Sequence, residues 1–199
     1  MRKILVVAII VLTQNVCMHG QYFKGGLSLG ITGSQIDGDH YAGYTKPGAS
    51  AGFFVSREFG RNWGIQGEFK YIMKGAAKTV TSTNTEVYRV TLHYFELPFT
   101  VYFNLNQKVR FEAGLASGYL IYSTINFGYG AETPSFPFNK YDFSPLIGIY
   151  YLLNEKFTVN LKFSYSAIPV RDYPGDPLYY RNSGQFNNVL NFAIYYSIK

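Results

Sequence analysis

The segment Thr91–Phe103, TLHYFELPFTVYF, decides how the rest of the chain is read. Its odd positions are His93, Phe95, Leu97, Phe99, Val101 and Phe103, nearly all large and apolar. Its even positions carry Tyr94, Glu96, Pro98, Thr100 and Tyr102. A strand sends alternate side chains to opposite faces, so one greasy face is backed by one polar face that holds a carboxylate.

Working outward, the same alternation returns in segments separated by connections that are by turns long and short. The expected strands are Tyr22–Ile31, Gly48–Arg57, Trp63–Lys74, Thr91–Phe103, Val109–Tyr122, Tyr141–Leu152, Phe157–Ile168 and Phe186–Ile198. Short turns fall at 58–62, 105–108 and 153–156; long loops fall at 32–46, 75–86, 123–140 and 169–185. An even strand count with short turns on one rim and long loops on the other is the pattern of an outer-membrane barrel. Each segment suits the ~9–11 residues that a tilted strand needs to cross a bilayer. No segment has a helical period of useful length.

Composition separates this reading from a secreted soluble barrel, which would put its apolar face inside. Charged residues are 15% of the 199 and aromatics 19%, against ~25% charged in ordinary soluble domains. The apolar face holds Trp63, Phe69, Phe95, Phe99, Phe103, Phe111, Phe143, Phe163 and Phe192, too much bulk for the inside of about eight strands. The opposite face holds Gly26, Ser28, Gly30, Gly64, Gly114, Ala116, Gly118 and Gly148, which suit a crowded interior. The expectation is an all-β, antiparallel up-and-down transmembrane β-barrel of about eight strands with a filled polar lumen.

The N-terminus reads as an export signal. Arg2 and Lys3 precede an apolar run from Ile4 to Leu12, too short to span a bilayer as a helix. Residues 1–20 are expected to be a cleaved signal peptide and 21–199 one barrel domain. Cys17 is the only cysteine, so the mature chain would lack disulfides and cysteine metal sites. Removing Arg2 and Lys3 from 18 basic residues leaves 16 against 12 acidic ones, a net +4. No basic run accompanies it, and no nucleic-acid partner is expected.

Strand parity places Lys24, Glu68, Lys70, Glu96, Arg110, Glu112, Asp142 and Lys162 on the inner face. Lys74 is set aside as close to the rim. The remaining four bases and four acids balance, as a confined interior requires, because an unpaired charge there costs several kcal/mol. The expected role of this network is structural. Pro98 and Pro145 lie inside strands, where proline cannot donate to the ladder, so bulges or unpaired positions are expected beside them.

Candidates for chemistry are few. His93 has outward parity, with no serine two residues away on either side, and reads as an interfacial side chain. His40 lies beside Asp37 and Asp39, again without a convincing serine. Asp37-Gly38-Asp39 lacks the spaced ligands of a calcium loop. No catalytic, metal or cofactor site is expected, and the chain is not read as an enzyme. The loop 169–185 carries Arg171, Tyr173, Tyr179, Tyr180 and Arg181; exposed aromatics and arginines are frequent in binding hot spots, so the last four are candidate contact residues.

Four segments resemble a known family. SQIDGDHYAGYTKPGASAGFF (Ser34–Phe54) is similar to the first loop and second strand of PorT-like outer-membrane barrels, and IQGEFKYIMKGA (Ile65–Ala76) to their third strand. YFELPFTVYF (Tyr94–Phe103) resembles their Y-x-E-x-P strand, and FSYSAIPV (Phe163–Val170) also fits. The resemblance implies an outer-membrane barrel of a Gram-negative cell, without a catalytic motif. Its recurrent residues map to Gly38, Asp39, Gly43, Lys46, Gly48, Glu68, Lys74, Gly75, Glu96 and Pro98, which look architectural. Some relatives are linked to protein secretion across the outer membrane. The expected partners are outer-membrane lipid and a protein met at the loops or the periplasmic turns, with the barrel itself monomeric.

Overall fold

The computed structural model describes residues 23–39, 43–78, 87–134, 136–172 and 184–198. The expected signal peptide with Cys17, His40, and the loop candidates Tyr173, Tyr179, Tyr180 and Arg181 lie outside the described residues.

Among the described residues, eight long antiparallel strands and one two-residue strand make the fold. In chain order they are β1 (Phe23–Asp37), β2 (Lys46–Phe59), β3 (Trp63–Ala77), β4 (Arg89–Asn104), β5 (Val109–Asn126), β6 (Ala131–Glu132), β7 (Tyr141–Leu152), β8 (Phe157–Tyr165) and β9 (Phe186–Ile198). The long strands pair with their neighbours in sequence, β6 adds only to the end of β5, and β1 pairs with β9 to close the barrel. Closure satisfies the backbone of every wall strand without an edge, which a hydrocarbon surrounding demands.

The faces follow the parity of the opening segment. Phe95, Leu97, Phe99 and Val101 of β4 are exposed on the outside, while Tyr94, Glu96, Thr100 and Tyr102 are buried inside. Leu27, Leu29 and Ile31 of β1, Phe143 and Ile147 of β7, and Phe192 and Ile194 of β9 continue the outer apolar belt. Phe53, Phe69 and Phe95 stack in a row across three strands, with ring centroids 5.3 Å apart at each step.

Several strands outrun their expected ends, mostly toward the long loops; β2 and β4 also gain two residues and one residue at the short turns. β1 continues through Thr32-Gly33-Ser34-Gln35-Ile36 to Asp37, a polar stretch of low strand propensity. Pairing on both sides holds it there: Ser34 faces Lys46 of β2 and Val189 of β9. β5 likewise runs to Asn126, whereas the strand expected to reach Ile168 stops at Tyr165.

The two prolines interrupt pairing on one side each. Pro98 keeps register with Ala116 of β5, but the β3–β4 ladder omits the two steps between Gly67↔Phe99 and Lys70↔Glu96. The β7–β8 ladder begins at Leu146↔Ser164, one step past Pro145. Among the described residues the one register shift lies elsewhere, between His93 and Tyr94, opposite Tyr122 and Leu120. The extra residue, Ile121, lets both Ile121 and Tyr122 face outward and turns the buried Ile125 inward, as a bulge does.

Candidate functional site

Among the described residues, buried polar chemistry is concentrated in the interior, and it is layered along the barrel axis. Nearest the long loops is an apolar layer of Ile36, Ile72, Val90, Leu92, Tyr94 and Val189, packed with Phe138 and Val170 from the loops. These residues share inward parity with the charges; Ile72, Leu92, Tyr94 and Val189 lie within the expected strands, and only Ile36 and Val90 lie on strand ends that extend past the expected boundaries.

Below it, Lys74 joins two carboxylates. Its Nζ lies 2.7 Å from Glu96 Oε1 and 3.0 Å from Asp142 Oδ2, and 5.1 Å from the centre of the Tyr94 ring. Lys70 reaches the other Glu96 oxygen at 3.3 Å. Asp142 also accepts from Ser144 (3.0 Å), Ser166 (2.8 Å) and Asn187 (3.0 Å). β3, β4 and β7 thus meet across the interior, with β9 contributing Asn187.

A second cluster lies nearer the short turns. Lys162 of β8 contacts Glu68 at 2.7 Å and Glu112 at 3.4 Å. Tyr195 donates to Glu68 (3.0 Å), and Tyr150 (3.2 Å) and Asn160 (2.9 Å) donate to Glu112. Gln66 donates to Glu68 at 2.9 Å and to the Tyr150 hydroxyl at 2.7 Å. Large side chains here are matched by missing ones on adjacent strands: a Cβ on Gly64 would run into the Tyr102 ring, and one on Gly148 would meet Glu112 Oε1 at 2.5 Å. At the short-turn mouth the interior opens into a cavity of about 350 Å³, floored by Gln66, Tyr150 and Tyr195 and walled by Phe54, Arg110 and Lys24.

Three of the nine inner charges considered from sequence are placed differently from expectation. Lys74 is the most enclosed of them, because β3 continues to Ala77 and puts it well inside rather than at a rim. Lys24 stands at the short-turn mouth, its side chain 56% exposed, paired with Glu58 at 3.1 Å. Arg110 is held at the same mouth by Asn104 (2.8 Å) and Glu58 (3.6 Å), stacked 4.0 Å over Tyr102. Both have inward parity, but each is the second residue of its strand and sits where water reaches it. The buried set is therefore Lys70, Lys74 and Lys162 against Glu68, Glu96, Glu112 and Asp142: three bases to four acids, rather than four to four. Its hydroxyl and amide partners, Tyr150, Tyr195, Asn160 and Asn187, went unremarked in sequence, although inward parity marks each of them.

The other candidates resolve into packing. His93 lies on the outer face, its Nδ1 2.5 Å from the Tyr71 hydroxyl and its ring 5.9 Å from that of Tyr122. Asp37 accepts from Gln35 at 2.7 Å and from Asn188 at 3.3 Å, which tie the first loop to β9. Among the described residues no three His, Cys, Asp or Glu side chains gather as a metal site.

Residues 14–170 match the family model of the outer membrane protein beta-barrel domain. The chain belongs to that family. No curated protein matches it. Among solved structures it is similar to Ail, the attachment invasion locus protein of Yersinia pestis, crystallised with the heparin analogue sucrose octasulfate. That match has TM-score 0.52 and 15% identity, and covers 88% of this chain and 99% of Ail. It is also similar to Neisserial surface protein A, with TM-score 0.53 and 9% identity over 90% of this chain and 100% of that one. At such identities the likeness is one of fold.

Proposed function

We propose that this outer-membrane barrel is a plugged, non-enzymatic surface protein that acts through its long loops rather than through a pore. The observation that carries the reading is the bridge from Lys74 to both Glu96 and Asp142, which spans the interior beneath an apolar layer. An eight-stranded barrel is just wide enough for its own side chains. Ions crossing it would have to displace paired, buried charges, at a cost of several kcal/mol. The role of the inner charges is structural on this reading.

Contact through the loops is supported by side chains that packing within the barrel does not explain. Tyr129 and Phe136 project from the loop after β5, with Tyr129 95% exposed. Exposed aromatics of this kind commonly anchor partners. In sequence, the loop 169–185 adds Tyr173, Tyr179, Tyr180 and Arg181 as candidate contact residues. Planar-bilayer recording tests the plug. The purified protein is expected to give no unitary conductance, and reproducible single-channel steps would overturn the reading.

The resemblance to PorT-like barrels favours a second role, as an accessory of an outer-membrane secretion system with partners at the short turns. Comparison of secreted proteins before and after deletion of the gene separates the two. An unchanged secretome removes the secretion role and leaves the surface role standing.

A further inference from the structure

Excess positive charge, dispersed in the sequence, is gathered by the fold at one end of the barrel. The described part of the short-turn rim carries Lys24, Arg57, Arg61, Lys108, Arg110 and Lys156 against Glu58 and Glu155, six to two, a net +4. The buried interior charges come to −1. The described part of the long-loop end has Lys46, Lys78, Arg89, Lys140 and Arg171 against Asp37, Asp39, Glu132 and Asp172, a net +1. Glu58 is shared, its Oε1 lying 3.1 Å from Lys24 and 3.6 Å from Arg110. Among the described residues Arg61, Lys108 and Lys156 have no carboxylate within ion-pairing distance.

Two of the three turns repeat one design. Leu105-Asn106-Gln107-Lys108 and Leu153-Asn154-Glu155-Lys156 follow the same pattern. Asn106 Oδ1 accepts from the backbone N–H of Lys108 and Val109, both at 2.8 Å; Asn154 Oδ1 accepts from those of Lys156 and Phe157, both at 2.9 Å. These two turns each present one apolar and one basic side chain, Leu105 with Lys108 and Leu153 with Lys156, and the remaining turn, built differently, presents Phe59 with Arg61. Leu105 and Leu153 are each 56% exposed and Phe59 46%. Between the first two turns of the rim, Lys24, Glu58, Arg61, Asn62, Asn104 and Arg110 line a cleft of about 430 Å³.

We propose that this rim is a basic collar that binds the phosphodiester headgroups of anionic phospholipid in the leaflet facing the short turns. The collar adjoins the lipid-facing belt directly. Phe23, Trp63, Phe157 and Tyr196 are exposed on the outer wall at this end, where aromatics mark a membrane interface. Arg57 lies on that outer wall too, its guanidinium 5.7 Å from the centre of the Phe23 ring. Paired apolar and basic side chains suit a site that is hydrocarbon on one side and phosphate on the other. A soluble acidic protein would use the cations but not the aromatic wall, so the lipid is the occupant these observations favour.

Trp63 is the only tryptophan in the chain and stands at this rim, so it reports on the lipid beside the collar. The protein is reconstituted into phosphatidylcholine bilayers containing brominated phosphatidylglycerol or brominated phosphatidylcholine, and quenching of Trp63 is measured. The expected result is a relative binding constant for the anionic lipid on the order of tenfold above the zwitterionic one, since each basic residue near the surface contributes. High salt should erase it. The triple substitution R61Q/K108Q/K156Q is expected to remove most of the preference, and K140Q at the opposite end to leave it unchanged. R61Q alone, with heat-modifiable gel migration as the check on folding, serves if the triple variant does not assemble. Equal quenching by the two lipids, a preference untouched in R61Q or the triple variant, or its loss to millimolar inorganic phosphate at constant ionic strength would overturn the proposal.

Discussion

Replacing Lys74 by methionine tests the interior most directly. The side chain is fully buried, and its one charge serves Glu96 at 2.7 Å and Asp142 at 3.0 Å. Methionine keeps much of the volume and removes the cation. Glu96 would retain only Lys70, at 3.3 Å, and Asp142 only the neutral donors Ser144, Ser166 and Asn187. The buried set would change from three bases and four acids to two and four. Removing one partner of a buried pair typically costs about 3–5 kcal/mol, because the partner left behind remains desolvated. The surviving donors to both carboxylates argue for the lower half of that range. Asp142→Asn should cost less, since the amide still accepts hydrogen bonds and Lys74 keeps Glu96.

The informative quantity is the coupling between the two changes. In K74M/D142N one uncompensated anion is gone, so the double variant should lose at least ~1 kcal/mol less than the two single losses added together. Urea unfolding in lipid vesicles, followed by Trp63 fluorescence and by heat-modifiable gel migration, measures all three variants. Lys24→Met is the matched control: its pair with Glu58 is half exposed, so removal should cost under ~1 kcal/mol. A cost for K74M as small as that of K24M, or strict additivity in the double variant, would refute the claim that this bridge holds the interior together.

Two further substitutions probe the packing and the turns. Gly64→Ala places a methyl where the Tyr102 ring lies and should destabilise by about 1–3 kcal/mol through overpacking; urea unfolding checks it, and an unchanged midpoint would show that Tyr102 can move at no cost. Asn106→Ala and Asn154→Ala each remove an acceptor used by two turn N–H groups, so each should cost roughly 1 kcal/mol. The turns are separate, so the double variant should lose about the sum on the same unfolding curve.

Much of the architecture was legible because alternation is a local property of the backbone. Phe95, Leu97 and Phe99 face outward and Glu96 inward in the fold as in the sequence reading, and the boundaries of β7 and β9 agree to the residue. Strand ends were harder to place. Gly, Ser, Gln and Asp after Ile31 have little intrinsic preference for a strand, and only pairing with β2 and β9 keeps them in one. That error put Ile36 in a loop and Val90 outside its strand, so two members of the apolar layer were out of view. It also made Lys74 look peripheral when it is central.

The sequence by itself determined the faces: which side chains meet lipid, which turn inward, and that the inward set must nearly cancel its own charge. Side-chain direction in a strand has a period of two and needs no knowledge of the neighbours. Only the tertiary structure decided which inward charges meet and how deep each one lies. Lys74 and Asp142 are 68 residues apart and belong to strands that do not pair with each other. Their contact depends on how far each strand is staggered along the closed barrel, and that stagger is a property of all eight ladders together. The basic collar has the same origin. Six cations spread between Lys24 and Lys156 form no run in the chain, and they become one surface only because antiparallel pairing brings the ends of every strand to a common rim.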